Sequence, residues 1–434
     1  MSPDKEQLKA RMMAEAEAVI DRMLSDSREQ DQLELSDIEH LARAAGQRIM
    51  ERLTSALIDA EAQGEESGTC PECEQKARYK GRRTRTLVTD TGEVRIERRY
   101  YYCPRCRKGF FPLDRRWGLN RTIYSPELAR QMVWLSGLVP YGKGHQVFER
   151  IGHRQIPRWS LWTQTQQHGE RLKAYMDHQQ EHVGMERVVL PPPGQDHGER
   201  KGIGIDGGMV HIREEGWKEV KVGTVFDIDL RLERDRHTHD LVERPHAAHI
   251  AYTAVLGSVD DFVPAMWALA WHHGVATAAD SCVTADGAKW IWRLVADLFP
   301  DSVHIVDWFH ACEHLAEAAR ALHPDNEQAA QRWFRKRCKD LYKGEIHKIT
   351  MRLDTAELTK HAHYFHTYKR KMNYQACLEE GYPIGSGTVE SSVKQFKERL
   401  TGAGMRWSRR SAEQMLIIRG AVMAEDFDLL WDAA

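Results

Sequence analysis

Lys201-Gly202-Ile203-Gly204-Ile205-Asp206-Gly207-Gly208-Met209-Val210-His211-Ile212 is the stretch on which the fold turns. Ile203 and Ile205 alternate with Gly204 and Asp206, the two-residue period of a strand with one apolar face. A strand over 202–206 is expected to end at Asp206, with 209–212 continuing beyond two glycines. Downstream, strands are expected over 217–230 and 249–256, then a helix over 265–272. A strand over 277–284 leads to Asp286-Gly287, and a helix follows over 288–298. A buried strand over 302–306 runs into Asp307-Trp308-Phe309-His310, and the chain then reads as helical to about residue 378. Strands succeeded by alternating helix and strand indicate a mixed α/β domain, interrupted by a helical insertion.

That insertion ends at Gly385-Ser386-Gly387-Thr388-Val389-Glu390-Ser391-Ser392-Val393-Lys394-Gln395-Phe396-Lys397-Glu398-Arg399-Leu400. Two glycines make a turn, and Ser386 or Thr388 is placed to cap a helix. Val389, Val393, Phe396 and Leu400 give that helix a buried face, with Glu390, Lys394 and Lys397 on a neighbouring stripe. Read alone, it is a capped surface helix with a Glu–Lys pair. Beside Asp206 and Asp286, Glu390 completes a set of carboxylates suited to two hard divalent cations and a phosphodiester. Each aspartate before glycine also has a plain reading as a turn residue.

Upstream of Lys201 lies a different chemistry. Cys70-Pro-Glu-Cys73 and Cys103-Pro-Arg-Cys106 are separated by 29 residues that read as a hairpin, 84–89 and 93–102 about a turn at Asp90-Thr91-Gly92. Four thiolates at this spacing suit one tetrahedral zinc ion in a zinc ribbon, with paired disulfides as the alternative. All four ligand positions are used, so the metal is expected to be structural. Arg82, Arg83, Arg85, Arg95, Arg98 and Arg99 decorate the hairpin and suggest phosphate contact, a protein-binding ribbon being the other reading.

The 434 residues carry a net charge of −2, so distribution matters more than total. Residues 1–68 are net −8, with 16 acidic and 8 basic side chains, whereas residues 76–116 are net +10, with 14 basic and 4 acidic. The acidic segment reads as two helices, with Ser36-Asp37-Ile38-Glu39 as a capping box and an apolar stripe through Ile38, Leu41, Ala45, Ile49, Leu53 and Leu57. Three helices are expected over 125–177, consistent with a helix-turn-helix, and Val188 to Gln195 reads as a linker. Near the C-terminal end, Arg406, Trp407, Arg409 and Arg410 are candidates to hold a DNA strand, Trp407 by stacking on a base or else as a core tryptophan. No apolar run of membrane-spanning length and no signal-peptide pattern is seen, and a cytoplasmic protein with reduced thiols is expected.

Ile205-Asp206-Gly207-Gly208, Ala285-Asp286-Gly287-Ala288-Lys289-Trp290, Val306-Asp307-Trp308-Phe309-His310 and Gly385-Ser386-Gly387-Thr388-Val389-Glu390-Ser391 together resemble bacterial insertion-sequence transposases, the ISKra type of the Mutator-like superfamily. The resemblance covers roughly residues 65–430. It implies an RNase H-like catalytic core with an all-helical insertion (about 308–380) and the catalytic triad Asp206, Asp286 and Glu390 holding Mg2+ or Mn2+. Asp307 and His310 match an Asp-x-x-His element, as support for the site or, for Asp307, as an alternative second aspartate. The implied organisation is a helical region (1–64), a zinc ribbon (65–118), a helical DNA-binding region (119–187), a linker (188–200) and the catalytic domain (201–434). The implied partners are element ends and target DNA, the implied assembly a homodimer or larger, and the implied setting the bacterial nucleoid. An RNase H-like nuclease and a non-catalytic zinc-ribbon regulator are the competing readings.

Overall fold

The computed structural model describes residues 5–28, 32–62, 68–119, 122–183, 199–234, 239–355 and 358–434. The linker expected between Val188 and Gln195, and most of that expected after Gln63, lie outside the described residues. The chain divides into two compact units: 1–133 with 144–158, and 134–143 with 159–434.

In the first unit α1 (Lys5–Arg28) and α2 (Leu35–Ala62) pack together, tied by Arg11 to Asp59 at 2.8 Å. The start of α2 differs from the capping box read at Ser36. Asp37 instead reaches back to accept the Glu34 N–H at 3.1 Å, so the reciprocal bond lies two residues earlier. Helix α2 lies on a three-stranded antiparallel sheet of β1 (Arg78–Thr89), β2 (Gly92–Cys103) and β3 (Lys108–Phe110). Ile58 meets Leu87, Val94, Ile96 and Leu119 there, so helices and ribbon share a core rather than forming separate domains. Part of the α2 stripe stays outside it, as Ile38 and Leu57 are exposed. The hairpin is longer than expected and turns on Asp90-Thr91, with Gly92 at φ 131°, a conformation that favours glycine.

Alternation along the hairpin decides which arginines face inward. Arg85 and Arg98 lie on the packed side and converge on Asp114 of α3 (Pro112–Arg116), with Arg98 stacked over Phe111. Both therefore neutralise a partly buried carboxylate and are not offered to phosphate. Arg82 and Arg83 are exposed and Arg99 half-buried; Arg82 pairs with Glu97 and Arg83 lies over Tyr100.

Helices α4 (Pro126–Leu138), α5 (Tyr141–Arg150) and α6 (Arg158–His182) follow, and the division between units falls within α4 and α5 and at the start of α6. In the second unit, β4 (Arg200–Ile212), β5 (Gly216–Arg234) and β6 (Leu241–Leu256) form an antiparallel meander. Helix α7 (Val259–His272) starts earlier than expected because Ser258 and Asp261 make a reciprocal capping box. Strand β7 (Asp280–Ala285), helix α8 (Lys289–Leu298) and strand β8 (Val303–Val306) complete a sheet of order β6-β5-β4-β7-β8, with β7 parallel to both β4 and β8. Helices α9 (Trp308–Leu322), α10 (Glu327–Tyr342), α11 (Ile346–Thr355), α12 (Thr359–Tyr368) and α13 (Tyr374–Glu379) continue the core that Ile203, Ile205 and Val283 begin. The opposite sheet face carries α14 (Gly387–Leu400) and α15 (Arg409–Met423), and α16 (Phe427–Ala433) follows. The architecture is thus mixed α/β. Among the described residues no helix is long and apolar enough to cross a membrane.

Removing Asp114 would leave Arg85 and Arg98 facing each other without a counter-charge. Asp114→Ala is expected to destabilise the first unit by about 3–5 kcal/mol, the usual effect of breaking a buried pair. Chemical denaturation followed through the ribbon tyrosines measures it.

Candidate active site and metal centre

The sheet register brings three aspartates into one row. Strand β4 pairs with β7 through Ile205 and Ala285, and β7 with β8 through Ala285 and Val306. Asp206, Asp286 and Asp307 are the next residues along these neighbouring strands. Contrary to expectation, Asp206 does not end its strand, since β4 continues in register with β5 to Ile212. It is a mid-strand residue at the point where pairing with β7 stops.

Glycine sets the position of the fourth carboxylate. A Cβ on Gly204 would stand 2.9 Å from the Val389 Cβ, and one on Gly208 would stand 2.9 Å from Val393 Cγ1. Asp206 lies between these glycines on the same face of β4, so α14 settles on bare backbone to either side of it. Glu390, next to Val389, is thereby held beside Asp206.

Electrostatics report the convergence. The Asp206 carboxyl is pushed up to about 6, first by burial and then by the fields of Asp286 and Glu390; His310 acts in the opposite direction. One oxygen of each carboxylate is engaged locally. Asp206 Oδ1 accepts the Gly207 N–H at 2.6 Å, Asp286 Oδ1 the Ala288 N–H at 2.8 Å, and Glu390 Oε1 the Ser386 hydroxyl at 2.7 Å. Among the described residues the second oxygen of each has no hydrogen-bond donor. Asp286 and Glu390 act on the charge of Asp206, but among the described residues only the four cysteines bring their ligand atoms within reach of a single ion.

Asp307 has a different environment. It is 1% exposed and accepts N–H bonds from His310 and Ser386, both at 2.5 Å, and lies 2.9 Å from the Ser386 hydroxyl. It caps α9 and clamps the turn before α14, so both of its oxygens are engaged by the fold. Ser386 holds the N-cap position of α14, as the sequence allowed, but its side chain makes no capping bond. Its hydroxyl lies between Asp307 and Glu390, and its one proton serves one carboxylate at a time. His310 is partly exposed, 3.6 Å from Glu313.

Sequence reasoning missed the residues that hold the Asp286 loop. The Trp292 indole N–H donates to the Asp286 carbonyl at 2.7 Å, and the Tyr368 hydroxyl donates to the Gly287 carbonyl at 2.7 Å. Tyr364 packs where a side chain on Gly287 would be. Trp292 lies only six residues beyond Asp286, on α8, yet no periodic pattern marks it. Tyr364 and Tyr368 come from the helical insertion with no local signal at all.

The basic residues downstream separate into two groups. Lys394, Lys397 and Arg406 are exposed and have no ion pair among the described residues. Arg409 pairs with Glu215 through two bonds of 2.6 and 2.7 Å, and Arg410 pairs with Glu170. Trp407 is 5% exposed and donates its indole N–H to the Leu400 carbonyl at 2.9 Å. It is a core residue, so its ring is not offered to a base. Arg399 and Arg419 are likewise buried, bonded to the carbonyls of Ser136 and Gly137.

In the first unit the sulfur atoms of Cys70, Cys73, Cys103 and Cys106 all lie within 4.8 Å of one another. Cys73 and Cys103 stand 3.6 Å apart and Cys70 and Cys106 3.9 Å apart, as four free thiols rather than two disulfides. The Cys70 thiol is lowered to about 7, chiefly by the Glu72 backbone N–H. The four are positioned to hold one metal ion such as zinc.

No protein-family model matches this chain, and no curated protein matches it.

Two outcomes follow from this geometry. The native Asp206 carboxyl holds its proton to about 6, well above the ordinary range of an aspartate, so folding favours protonation, and the stability this group lends at low pH is lost as pH rises through that interval. In metal-free buffer, Asp206→Asn is therefore expected to raise the melting temperature by a few degrees above about pH 7 and to lose that advantage by about pH 4. A metal ion held by the four thiols would tie the ribbon together, so a chelator, or Cys103→Ser, is expected to unfold it; circular dichroism and metal analysis of the purified protein check this.

Proposed function

We propose that the chain is a metal-dependent DNA transposase with an RNase H-like core and the triad Asp206, Asp286 and Glu390. The observation that carries this reading is that strand register and the seating of α14 on Gly204 and Gly208 bring Asp286 and Glu390 near enough to Asp206 for both to raise its carboxyl. The sheet supports it too: counted within the domain, the order is 3-2-1-4-5, with the last two strands parallel to the first.

Asp206, Asp286 and Glu390 would hold Mg2+ or Mn2+ through the oxygens their local hydrogen bonds leave over. Bound there, the cations supply activation of the attacking oxygen and stabilisation of the leaving oxygen at phosphorus. The chain's own residues arrange the rest. Asp307 and Ser386 fix the Glu390 carboxylate, while Trp292 and Tyr368 fix the loop that carries Asp286. Lys394 and Lys397, one and two turns beyond Glu390, are placed to meet a phosphate backbone entering the site. In the first step water displaces the 3′-oxygen of a phosphodiester at an element end, leaving a free 3′-hydroxyl. In the second, that hydroxyl attacks a target phosphodiester, so one P–O bond forms as another breaks and no protein–DNA bond is made. A structural zinc ion would hold the ribbon, whose outward Arg82, Arg83 and Arg99 would contact the element ends. Two ends must be joined in one reaction, which requires a dimer or larger assembly on DNA.

The test uses purified protein with the DNA that flanks its own gene. Magnesium-dependent nicking at the ends and joining to a second duplex are expected, both reduced at least ~100-fold in Asp206→Ala and Glu390→Gln. Cleavage without joining would make it a nuclease; binding unchanged by either substitution, with no cleavage, would overturn the catalytic reading.

A further inference from the structure

Strand β5 outruns the sheet. Its pairing with β4 ends at Asp227, opposite Lys201, while β5 and β6 continue as a two-stranded ribbon to Arg234 and Leu241. Asp229 to Arg234 are six consecutive exposed residues, Leu232 at 67%. Among the described residues no strand lies beyond this edge of β5. An open strand edge with exposed leucines is a template for pairing with another chain.

The two edges of the ribbon are not equivalent. On β6, Pro245 stands opposite Leu230 and has no N–H to offer, and prolines in ladders turn that gap to the open side. The β6 edge is blunted; the β5 edge is not. Edge charges usually prevent pairing, and their sequence decides whether they do so here. Side-chain faces match in an antiparallel pair of identical strands only when the two-fold axis passes through a residue. An axis at Arg231 sets Arg231 against itself and Asp229 against Glu233, which repels. An axis at Leu230 is obstructed: Gly381 lies against the Leu230 side chain, and Arg200, bonded to the Glu380 carbonyl, occupies the adjoining edge. An axis at Leu232 sets Leu232 against Leu232 and places Arg231 opposite Glu233 twice.

We propose that β5 pairs with β5 of a second copy of this chain, antiparallel about Leu232, joining two five-stranded sheets into one. This inference stands apart from the catalytic reading, since it uses no residue of the carboxylate site. Arg231 now reaches Asp229 at 3.6 Å and Glu233 reaches His246 at 2.8 Å, so the new pairs form by exchange of partners already on the polar face. So short a ladder buries less than a standard interface, and the association is weak without a further tether such as shared DNA.

The experiment uses the full chain without DNA. Residues directly opposite lie roughly 5 Å apart at Cα, within disulfide reach. Leu232→Cys is expected to form a covalent dimer under mild oxidation, with the parent chain as the control for native thiols. Leu230→Cys should not, because its own copy would be roughly 14 Å away at strand spacing. Arg231→Glu alone and Glu233→Arg alone are each expected to weaken self-association in sedimentation on the order of tenfold, and the double exchange to restore it. No cross-link at 232, a stronger one at 230, or a double exchange no better than the singles would overturn the proposal. If the singles instead alter DNA retention and leave sedimentation unchanged, the ribbon is a DNA-binding arm and the dimer is wrong.

Discussion

The close approach of α14 to β4 is the contact on which the geometry of the second unit's candidate site rests. Val389 and Val393 sit where side chains on Gly204 and Gly208 would be, so the helix is lowered onto the strand by the absence of two Cβ atoms. Asp206 is the residue between them. Any larger residue at 204 or 208 would lift α14, and with it Glu390, away from the carboxylates on β4 and β7. Packing and site geometry are therefore one constraint here, enforced by van der Waals exclusion rather than by polar bonds.

That approach has an electrostatic consequence. Bringing like charges together while removing water raises Asp206, a standing cost that a bound cation would relieve. The fold holds the arrangement against this repulsion with bonds that do not face the site. Asp307 gathers the start of α9 and the Ser386 turn, and two residues of α8 and α12, Trp292 and Tyr368, fasten the Asp286 loop through its backbone. The helical insertion thus contributes to the site's rigidity without contributing a carboxylate.

Positive charge divides along the same line between structure and surface. Arg85 and Arg98 are used up on Asp114, Arg399 and Arg419 on backbone carbonyls, and Arg409 and Arg410 on Glu215 and Glu170. What faces solvent near Glu390 is a shorter set, Lys394, Lys397 and Arg406. A planar guanidinium with several donors serves buried junctions well, whereas lysine heads stay hydrated. Counting basic residues along the chain therefore overstates the surface available to phosphate.

Local patterns alone established a good deal: the two-residue period of β4, the helical stripe of α14, the hairpin between the cysteine pairs, and the four thiols as a metal set. These are legible because each depends on side-chain periodicity or on short ligand spacing within a few dozen residues. Tertiary structure decided the rest. Which arginines are buried follows from strand register and from Asp114, whose partners lie 16 and 29 residues away. Asp307 became a clamp and Ser386 a bridge only because Gly385 and Ser386 return to the end of β8 from 79 residues downstream. Trp407 is a core residue because α14 and α15 close over it. Its composition-level likeness to a base-stacking residue was unaffected by that, since periodicity carries no information about which faces meet across long loops.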